Sequence, residues 1–346
     1  MHVLVATDAW QPQVNGVVRT LEALARHAAA LGARVSFLTP AGFASLPLPF
    51  YREIRLALPP PGAIAGRIDA LRPDAVHVAT EGPIGHAARR YCLRRGRPFT
   101  TSFHTRYPDY VAARLPLPPA VTWAWLRRFH RQAAAVLAAT PGLAAELAAR
   151  GFPAPALWPR GVDTDLFRPR AGADLGLPRP VFLSVGRLAV EKNLPAFLGL
   201  DLPGSKVVVG DGPAREDLAR RFPGAVFLGA RSGAALADIY AAADVFVFPS
   251  RTDTFGLVLL EALASGLPVA AFPVGGPRDV IGAAPVGVLD RDLRSACLAA
   301  LALARSRCRD FALARSWEAS ARQFLAALAR ANAKACRVGR FAAATA

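Results

Sequence analysis

The stretch DVFVFPSRTDTFGLVLLEALASGLPVAAF, residues 244–272, decides the fold. It opens with a short apolar run, 245–249, and closes with a second one, 268–272, and both runs are typical of buried strands. Between them, about 256–265 is long enough and apolar enough to form a buried helix. A strand, a helix and a second strand in this order form a βαβ unit with parallel strands. The stretch therefore predicts a parallel sheet covered by helices.

The same alternation of strands and helices occupies most of the chain, in two series. The first series has predicted strands at 2–7, 35–39, 75–79, 99–103, 135–139 and 156–158, with helices near 16–31, 83–94 and 118–134 and a short helix entered at Thr140–Pro141. The second has predicted strands at 181–186, 206–210, 225–229, 245–249 and 268–272, with helices near 213–221, 233–242 and 256–265. Strands that alternate with helices indicate an α/β fold with doubly wound parallel sheets.

The two series predict two domains. The segment 167–180 is rich in proline and glycine and lacks periodicity, so we predict the domain linker there. The predicted domains are 1–168 and 169–310, followed by an amphipathic helix at 311–331 and a frayed tail at 332–346. Ligands of doubly wound sheets bind at the carboxyl ends of the strands, so we expect a ligand between the two domains.

The positive charge of the chain is concentrated in one region. The net charge is +17, and between Glu81 and Glu146 ten arginines stand beside a single acid, Asp109. Such a surface attracts nucleic acid or anionic lipid headgroups. No recognised DNA- or RNA-binding motif accompanies the charge, so nucleic acid is not a predicted partner.

Cysteine spacing and the first residues bear on metal binding and location. The four cysteines form no CxxC pair and no metal-ligand cluster, which predicts a reducing compartment and no disulfide framework. The opening MHVLVATDAW is interpreted as a strand rather than a signal peptide, and there is no long uncharged apolar run. We therefore expect a cytoplasmic protein, and not an exported two-lobed sugar receptor. The sequence indicates no oligomeric state.

Two acids stand out in the opening stretch, Asp253 and Glu261. Asp253 precedes the predicted helix, where a carboxylate could cap the free amides, so a structural role is one interpretation. Glu261 lies within the helix among apolar neighbours that offer it no partner. A buried glutamate without a partner is rare, and the hydroxyls of a sugar or ribose would suit its carboxylate.

Three further sites lie where predicted strands end. Arg187 and Lys192 follow the strand 181–186 and together suit a diphosphate, although they could belong to an ordinary solvated loop. Gly16 begins a helix directly after the first strand, where free amides favour an anion, although a plain turn is the alternative. His104 follows the strand 99–103 and has either a structural role or a catalytic one.

With these segments in place, the chain resembles the retaining glycosyltransferases of family four, which have the GT-B fold. That family's signature, Glu–seven residues–Glu, matches Asp253 and Glu261, with aspartate in the first position. The resemblance covers nearly the whole chain and rests on these motifs: NG at 15–16, HT at 104–105, RGVD at 160–163, GRLAVEKN at 186–193, GDGP at 210–213 and FGLVLLEALASGLPV at 255–269. It implies two Rossmann-like domains that face a cleft, and a C-terminal helix that crosses back to the N-terminal domain.

The resemblance also implies roles for single residues. Glu261 would bind the ribose of a nucleotide sugar, and His104 would lie beside the anomeric carbon. The other implied contacts are with the diphosphate (Arg187, Lys192 and Gly16), the donor sugar (Asp253, Thr254, Phe255 and Gly256) and the base (Leu228–Arg231, chiefly Gly229 and Arg231). The family needs no metal, so the cations would stabilise the leaving diphosphate, and transfer would retain the anomeric configuration. Asp253 is shorter than the glutamate that the family more often has at this position, so the resemblance does not identify the donor sugar.

Two branches of the family are most similar in amino-acid sequence, above all in FHTRYPDYVAARLP (103–116). They are the GDP-mannose-dependent α-mannosyltransferases and the bacterial enzymes that glycosylate diacylglycerol, including sulfoquinovosyl and glucuronosyl transferases. Trp123, Trp125 and Phe129 lie among Arg127, Arg128 and Arg131, which predicts a surface for an anionic membrane and hence a lipid acceptor. The alternatives are that these aromatics pack inside, that the acceptor is a glycan, or that the enzyme is an epimerase of the same fold.

Overall fold

The computed structural model describes residues 1–13, 15–48, 51–112 and 116–344, and within these the chain forms two units. Unit 1 holds Met1–Pro159 together with the chain from Trp317 onward, and unit 2 holds Arg160–Ser316. The chain thus passes from unit 1 into unit 2 at 159/160 and returns at 316/317, whereas the sequence predicted a linker at 167–180 and the returning helix from 311.

Unit 1 is built on a six-stranded parallel sheet with the order β2-β1-β5-β6-β7-β8. Its strands, together with a separate antiparallel hairpin of β3 and β4, are β1 (His2–Ala6), β2 (Arg34–Leu38), β3 (Ser45–Leu48), β4 (Tyr51–Ala57), β5 (Ala75–Val78), β6 (Thr100–Phe103), β7 (Ala135–Ala138) and β8 (Pro155–Leu157). The central strands are short and fully buried, as expected for a parallel sheet covered on both faces.

Six helices precede β8 in chain order. They are α1 (Gly16–Ala30), α2 (Ala63–Leu71), α3 (Pro83–Arg94), α4 (Tyr107–Ala112), α5 (Pro119–His130) and α6 (Pro141–Ala149). Proline stands in the first turn of α3, α5 and α6, where its missing N–H has no partner to lose. The hairpin, α2 and α4 were not predicted from the sequence.

The C-terminal helix (Trp317–Ala344) completes unit 1. Ser320 Oγ accepts a hydrogen bond from Trp158 Nε1 at 3.1 Å and donates one to the Pro159 carbonyl at 2.6 Å. The Phe324 ring lies 4.6 Å from the Trp158 ring, and both side chains are fully buried. The helix therefore packs on the N-terminal sheet, and its backbone continues through 332–344, where the sequence predicted a frayed tail.

Unit 2 repeats the architecture of unit 1 with six parallel strands in the order β11-β10-β9-β12-β13-β14. The strands are β9 (Val181–Val185), β10 (Ser205–Val209), β11 (Val226–Phe227), β12 (Val245–Phe248), β13 (Val269–Ala271) and β14 (Gly287–Leu289). The helices are α7 (Pro195–Leu198), α8 (Arg215–Arg221), α9 (Gly233–Ala242), α10 (Leu257–Ala264), α11 (Gly275–Ile281), α12 (Leu293–Ala300) and α13 (Arg305–Leu313). The sequence anticipated the first five strands and α8, α9 and α10.

The opening stretch supplies the centre of unit 2. Its strands β12 and β13 pair in parallel, with Phe246 opposite Val269, and α10 connects them. Six consecutive residues of α10, Leu259–Ala264, are buried, so this helix is covered on all sides, as its nearly continuous apolar sequence predicts. The two doubly wound sheets of the predicted α/β fold are confirmed.

Candidate active site

Two loops at the carboxyl ends of neighbouring strands of unit 2 are bonded to each other. The loop after β9 turns through Gly186 (φ 154°) and includes a short 3₁₀ turn, Val190–Lys192. Asn193 follows in the left-handed conformation and donates from Nδ2 to the Pro249 carbonyl at 3.1 Å. Ser250 Oγ donates to the Glu191 carbonyl at 3.2 Å. The loops that carry the predicted diphosphate and sugar residues therefore form one structure.

An ion pair joins these two loops. Lys192 Nζ donates to Asp253 Oδ1 at 2.6 Å, and the two side chains are 24% and 16% exposed. Asp253 is not a helix cap, because α10 begins after Gly256 and the Asp253 carboxylate is bonded to Lys192 through Oδ1. The structural interpretation of Asp253 as a cap is thus wrong, and the carboxylate belongs to the loop surface beside Lys192.

The Asp253 loop is tightly packed and carries polar atoms without protein partners. Asp253 Oδ2 and Thr252 Oγ1 are buried and have no hydrogen-bond partner within the part of the chain that the structure describes. The loop lies against the start of α11, where a Cβ on Gly276 would lie 2.9 Å from the Asp253 carbonyl oxygen. Thr254, Phe255 and Gly256 continue the loop into α10, and Gly256 has φ +84°. The second carboxylate oxygen is thus available for a hydroxyl donor.

Glu261 has a partner that its own helix could not show. The side chain is buried, with 7% exposure, and its Oε2 accepts a hydrogen bond from the Tyr240 hydroxyl at 3.1 Å. Tyr240 lies on α9 and is fully buried between Phe167 and Phe246. The expectation that nothing nearby satisfies Glu261 is therefore wrong, since the neighbouring helix supplies a donor. The tyrosine orients the carboxylate, which lies one turn from the end of α10.

Two other predicted site residues of unit 2 follow the edge strand β11. Gly229 adopts a left-handed conformation, φ +69°, and its carbonyl accepts from the Gly210 amide at 2.9 Å. The backbone amide of Leu228 donates to the Val208 carbonyl at 3.0 Å, which holds this segment against β10. Arg231 is exposed. The segment predicted to face the base therefore extends the carboxyl edge of the same sheet.

Unit 2 also contains the predicted Arg187 and a buried arginine, Arg160. Arg187 follows Gly186 directly. The backbone amide of the next residue, Leu188, donates to the Asp211 carbonyl at 2.9 Å, so the arginine is held between β9 and the GDGP turn at 210–213. Arg160 is only 6% exposed, and burial lowers the pKa of its guanidinium to about 9. Both arginines lie in unit 2 with Lys192, Asp253 and Glu261.

Gly16 and His104 belong to unit 1 instead. Asn15 caps α1: its Oδ1 accepts from the amides of Val17 and Val18, both at 3.0 Å. Part of the amide cluster predicted to bind an anion is thus used by the cap. His104 follows β6, and its ring lies 5.8 Å from the ring of Trp158 in an edge-on arrangement. His104 directly follows the end of β6, whereas β1 ends at Ala6 and α1 begins only at Gly16.

A buried polar group at the same edge of unit 1 was missed by the sequence reasoning. Asp8 Oδ1 accepts from the Ile84 amide at 2.8 Å, and Oδ2 accepts from the Gly85 amide at 3.2 Å. The Thr80 hydroxyl donates to Asp8 Oδ2 at 2.9 Å. Burial raises the pKa of the Asp8 carboxyl, and these hydrogen bonds oppose that rise. Asp8 is thus the cap of α3, reached across 76 residues, and no local pattern in the sequence indicates it.

A second buried pair lies next to Asp8. His130 Nε2 lies 3.1 Å from Glu81 Oε1, and the two side chains are 0% and 3% exposed. His130 Nδ1 is hydrogen-bonded to Thr101 Oγ1 at 2.8 Å. Burial raises the pKa of the Tyr107 phenol, and the carboxylates of Glu81 and Asp8 raise it further. Buried polar side chains are therefore clustered at the carboxyl ends of β1, β5 and β6.

The predicted aromatic surface on α5 is only partly correct. Trp123 and Phe129 are 8% and 2% exposed and pack in the core of unit 1, so their prediction as surface residues is wrong. Trp123 stacks on Phe103 with 5.7 Å between centroids, because every third or fourth residue of an amphipathic helix faces inward. Trp125 lies on the opposite side of the helix and is 41% exposed.

Two general features of the described residues bear on the site. No described helix has the length and apolar content needed to cross a bilayer. Within the same residues, no three His, Cys, Asp or Glu side chains are grouped as metal ligands would be.

Comparison with known proteins gives matches over both units. The family model described as Glycosyltransferase Family 4 matches residues 14–166, and the model described as Glycosyl transferases group 1 matches residues 179–305. A GDP-mannose-dependent alpha-mannosyltransferase of Mycobacterium tuberculosis (strain CDC 1551 / Oshkosh) is 34% identical over 315 residues, with 84% of this chain and 83% of that protein covered. Sulfoquinovosyl transferase SQD2 of Arabidopsis thaliana is 35% identical, with 69% of this chain and 50% of that protein covered.

A solved structure matches the arrangement of strands and helices. Sucrose-phosphate synthase from Thermosynechococcus elongatus superimposes with a TM-score of 0.80 over 96% of this chain and 99% of that one. The sequences are 22% identical, so the likeness concerns the fold.

Proposed function

The chain belongs to glycosyltransferase family 4 and is a glycosyltransferase with a nucleotide-sugar donor, and from this premise we propose that it transfers a hexosyl group to a membrane lipid such as diacylglycerol. Its fold is α/β GT-B, as the sequence predicted. The proposed transfer retains the anomeric configuration and needs no metal. The proposed location is the cytoplasmic face of a membrane, as a peripheral protein.

The observation that carries the donor part of this proposal is the Lys192–Asp253 pair, which lies in the same unit as Glu261. A cation and a carboxylate 2.6 Å apart offer two different groups to one ligand. Lys192 can neutralise a phosphate, while Asp253 Oδ2, which has no partner among the described residues, can accept from a sugar hydroxyl. Arg187 adds forked donors for a diphosphate. Together they suit the diphosphate and the sugar of the donor.

We assign the remaining donor contacts on the same basis. Glu261, oriented by Tyr240, accepts from the ribose hydroxyls. Thr254, Phe255 and Gly256 present backbone amides to the sugar, while Gly229 and Arg231 face the base. The amide of Gly16 assists the diphosphate, and His104 lies beside the anomeric carbon.

The charge that develops on the leaving diphosphate decides how the residues act. Departure of the nucleoside diphosphate places negative charge on its oxygens, and fixed cations lower the barrier when they interact more strongly with that charge than with the ground state. Arg187 and Lys192 take this role, so no divalent cation is required. Because Asp253 is engaged by Lys192, its carboxylate accepts hydrogen bonds in our mechanism. The hydroxyl of the acceptor substrate attacks the anomeric carbon from the face that the leaving group vacates. The bond from that carbon to the diphosphate oxygen breaks, and the hydroxyl proton passes to the departing diphosphate.

A second candidate is a GDP-mannose-dependent α-mannosyltransferase that acts on a glycan or glycolipid. It is favoured by the names of three relatives that are 29–34% identical, each aligned over 84% of this chain. The lipid acceptor is favoured by the basic exposed surface of unit 1. An epimerase would need no acceptor, and we rank it last.

One incubation separates these candidates. The purified protein is mixed with UDP- or GDP-sugars, with and without diacylglycerol in detergent, and released nucleotide and product are measured. The proposal predicts nucleotide release that depends on diacylglycerol and persists with EDTA, and a product with the donor's anomeric configuration. Transfer only to glycans, or interconversion of the donor without an acceptor, would overturn it. Glu261→Ala is the control and should lose turnover while keeping its fold.

A further inference from the structure

An exposed apolar strip runs along α5 on the outside of unit 1. Val121 and Trp125 are 54% and 41% exposed and lie one helical turn apart, so they share one face of the helix. Leu117, 42% exposed, lies in the segment that leads into α5. The indole of Trp125 is held on one side by the rings of His86 and Tyr107, with centroids 6.2 and 6.3 Å away. An exposed aromatic that is already held in place loses little side-chain entropy when it binds.

Exposed arginines lie next to the apolar residues of this strip. Arg128 lies on the same helical face, three residues after Trp125, and Arg131 follows the end of the helix; both are exposed. Arg89 of α3 donates from Nε to the Phe129 carbonyl at 2.7 Å, which brings a third cation beside them. Burial lowers the pKa of the Arg89 guanidinium, and the charges of Arg128 and Arg131 lower it further, so these cations are close enough to repel. An anionic partner would relieve that repulsion.

The acids of this region do not offset the cations of the strip. Asp109 Oδ2 is bound by Arg106 Nε at 2.6 Å. Glu146 is bound by Arg106 at 2.6 Å and by Arg150 at 3.0 Å. Glu81 is buried against His130. Within the described residues of 81–146, every acid is therefore committed elsewhere, and the positive field of the strip is left for a partner.

We propose that Leu117, Val121, Trp125, Arg128 and Arg131, here named the docking face, bind the surface of an anionic lipid bilayer. Trp125 and Val121 enter the boundary between headgroups and acyl chains, and the two arginines contact phosphate groups. The docking face would bring the enzyme to a lipid acceptor, so the inference rests on the proposed function. Nucleic acid fits less well, because one exposed indole beside aliphatic side chains forms no platform for stacked bases.

The test compares vesicles of phosphatidylcholine alone with vesicles of equal phosphatidylcholine and phosphatidylglycerol. The full-length protein is floated with each, at low and high salt. We expect binding to the anionic vesicles only, and a loss of binding of about 25-fold in Arg128→Gln/Arg131→Gln, at about fivefold for each arginine near an anionic surface. High salt should erase this difference, because exposed charges are screened.

Two further variants separate the contributions. Trp125→Ala should weaken binding several-fold at both salt concentrations, since an apolar contact is not screened, and Trp125→Phe should restore part of it. The matched control, Arg291→Gln/Arg307→Gln, removes the same charge from exposed positions of unit 2 and should bind as the parent does. Equal loss in this control would overturn the proposal, because net charge alone would then explain binding.

The remaining outcomes distinguish the docking face from the proposed function. If the parent protein does not bind anionic vesicles but binds a single-stranded oligonucleotide at physiological salt, the docking face is not a membrane surface. If vesicle binding is lost in the arginine variant while transfer to diacylglycerol in detergent continues, both inferences stand. If vesicles bind but no diacylglycerol product forms, the docking face stands and the proposed acceptor is wrong. Thermal unfolding of each variant shows that the fold is kept.

Discussion

Lys192 Nζ and Asp253 Oδ1 lie 2.6 Å apart and join the loop after β9 to the loop after β12. The two loops are also tied by Asn193 and Ser250, so the ion pair closes an edge that the backbone already brings together. Because both side chains are mostly buried, neither charge is fully hydrated when its partner is removed. The pair therefore couples the stability of this edge to the chemistry we assign to it.

We predict that Lys192→Met and Asp253→Asn are coupled in stability. Each single variant leaves one partly buried charge without its partner, so the double variant should be less destabilised than the sum of the two. The coupling should be about 0.5–3 kcal/mol in a double-mutant cycle of urea unfolding. Arg322→Ala and Glu318→Ala disrupt an exposed pair and should show coupling near zero. A near-zero value for Lys192 and Asp253 would show that the pair is incidental.

The Tyr240–Glu261 hydrogen bond predicts a separate effect on donor binding. Tyr240→Phe keeps the ring packing and removes the hydroxyl that donates to Glu261 Oε2, so it should cost about 1.5–3 kcal/mol of stability, typical of a bond to a charged group. The carboxylate should then be less well oriented, raising KM for the donor more than it lowers kcat. Steady-state kinetics with varied donor measure this split. An unchanged KM with a normal fold would separate Tyr240 from the donor site.

The local pattern of the sequence sufficed for the parallel sheets and for the residues at their carboxyl ends. Apolar runs followed by glycine or a charged loop mark such strands, and Arg187, Lys192, Asp253 and His104 were found that way. The hydrogen-bond partners of Glu261 and Asp8 were not found, because they come from other elements. Tyr240 is 21 residues from Glu261, and Thr80 is 72 residues from Asp8.

The elements missed in unit 2 have a different cause. Helix α11 starts with Gly275, Gly276 and Pro277, which favour a turn, and it forms where Gly276 allows close contact with the Asp253 loop. Trp123 and Phe129 were placed on the surface because their neighbours are arginines. In the structure, Arg127 and Arg128 of α5 are exposed, whereas these two aromatics are buried.

Asp8 predicts a dependence of stability on pH. Burial raises the pKa of its carboxyl in the folded protein above the ordinary 3.8, so the folded state binds this proton more tightly than the unfolded state. The contribution of Asp8 to stability is then full below pH 3.8 and is lost as pH rises through the folded pKa. Asp8→Asn should remove this slope from the free energy of unfolding, measured by urea titration at a series of pH values. Thr80→Val keeps the carboxyl, so the dependence of its unfolding free energy on pH should persist. An unchanged pH dependence in Asp8→Asn would exclude Asp8 as its source.

Two helical glycines provide the last prediction. In α3, a Cβ on Gly85 would overlap the carbonyl oxygen of Thr80, a backbone atom that cannot move without displacing the end of β5. Gly85→Ala should therefore destabilise unit 1 by about 1–3 kcal/mol and weaken the amide bond to Asp8. In α2, a Cβ on Gly66 meets nothing within 4 Å, so Gly66→Ala should stabilise the protein by up to about 1 kcal/mol through helix propensity. Thermal and urea unfolding compare the pair, and equal effects of the two changes would mean that α3 is not held against β5 by this contact.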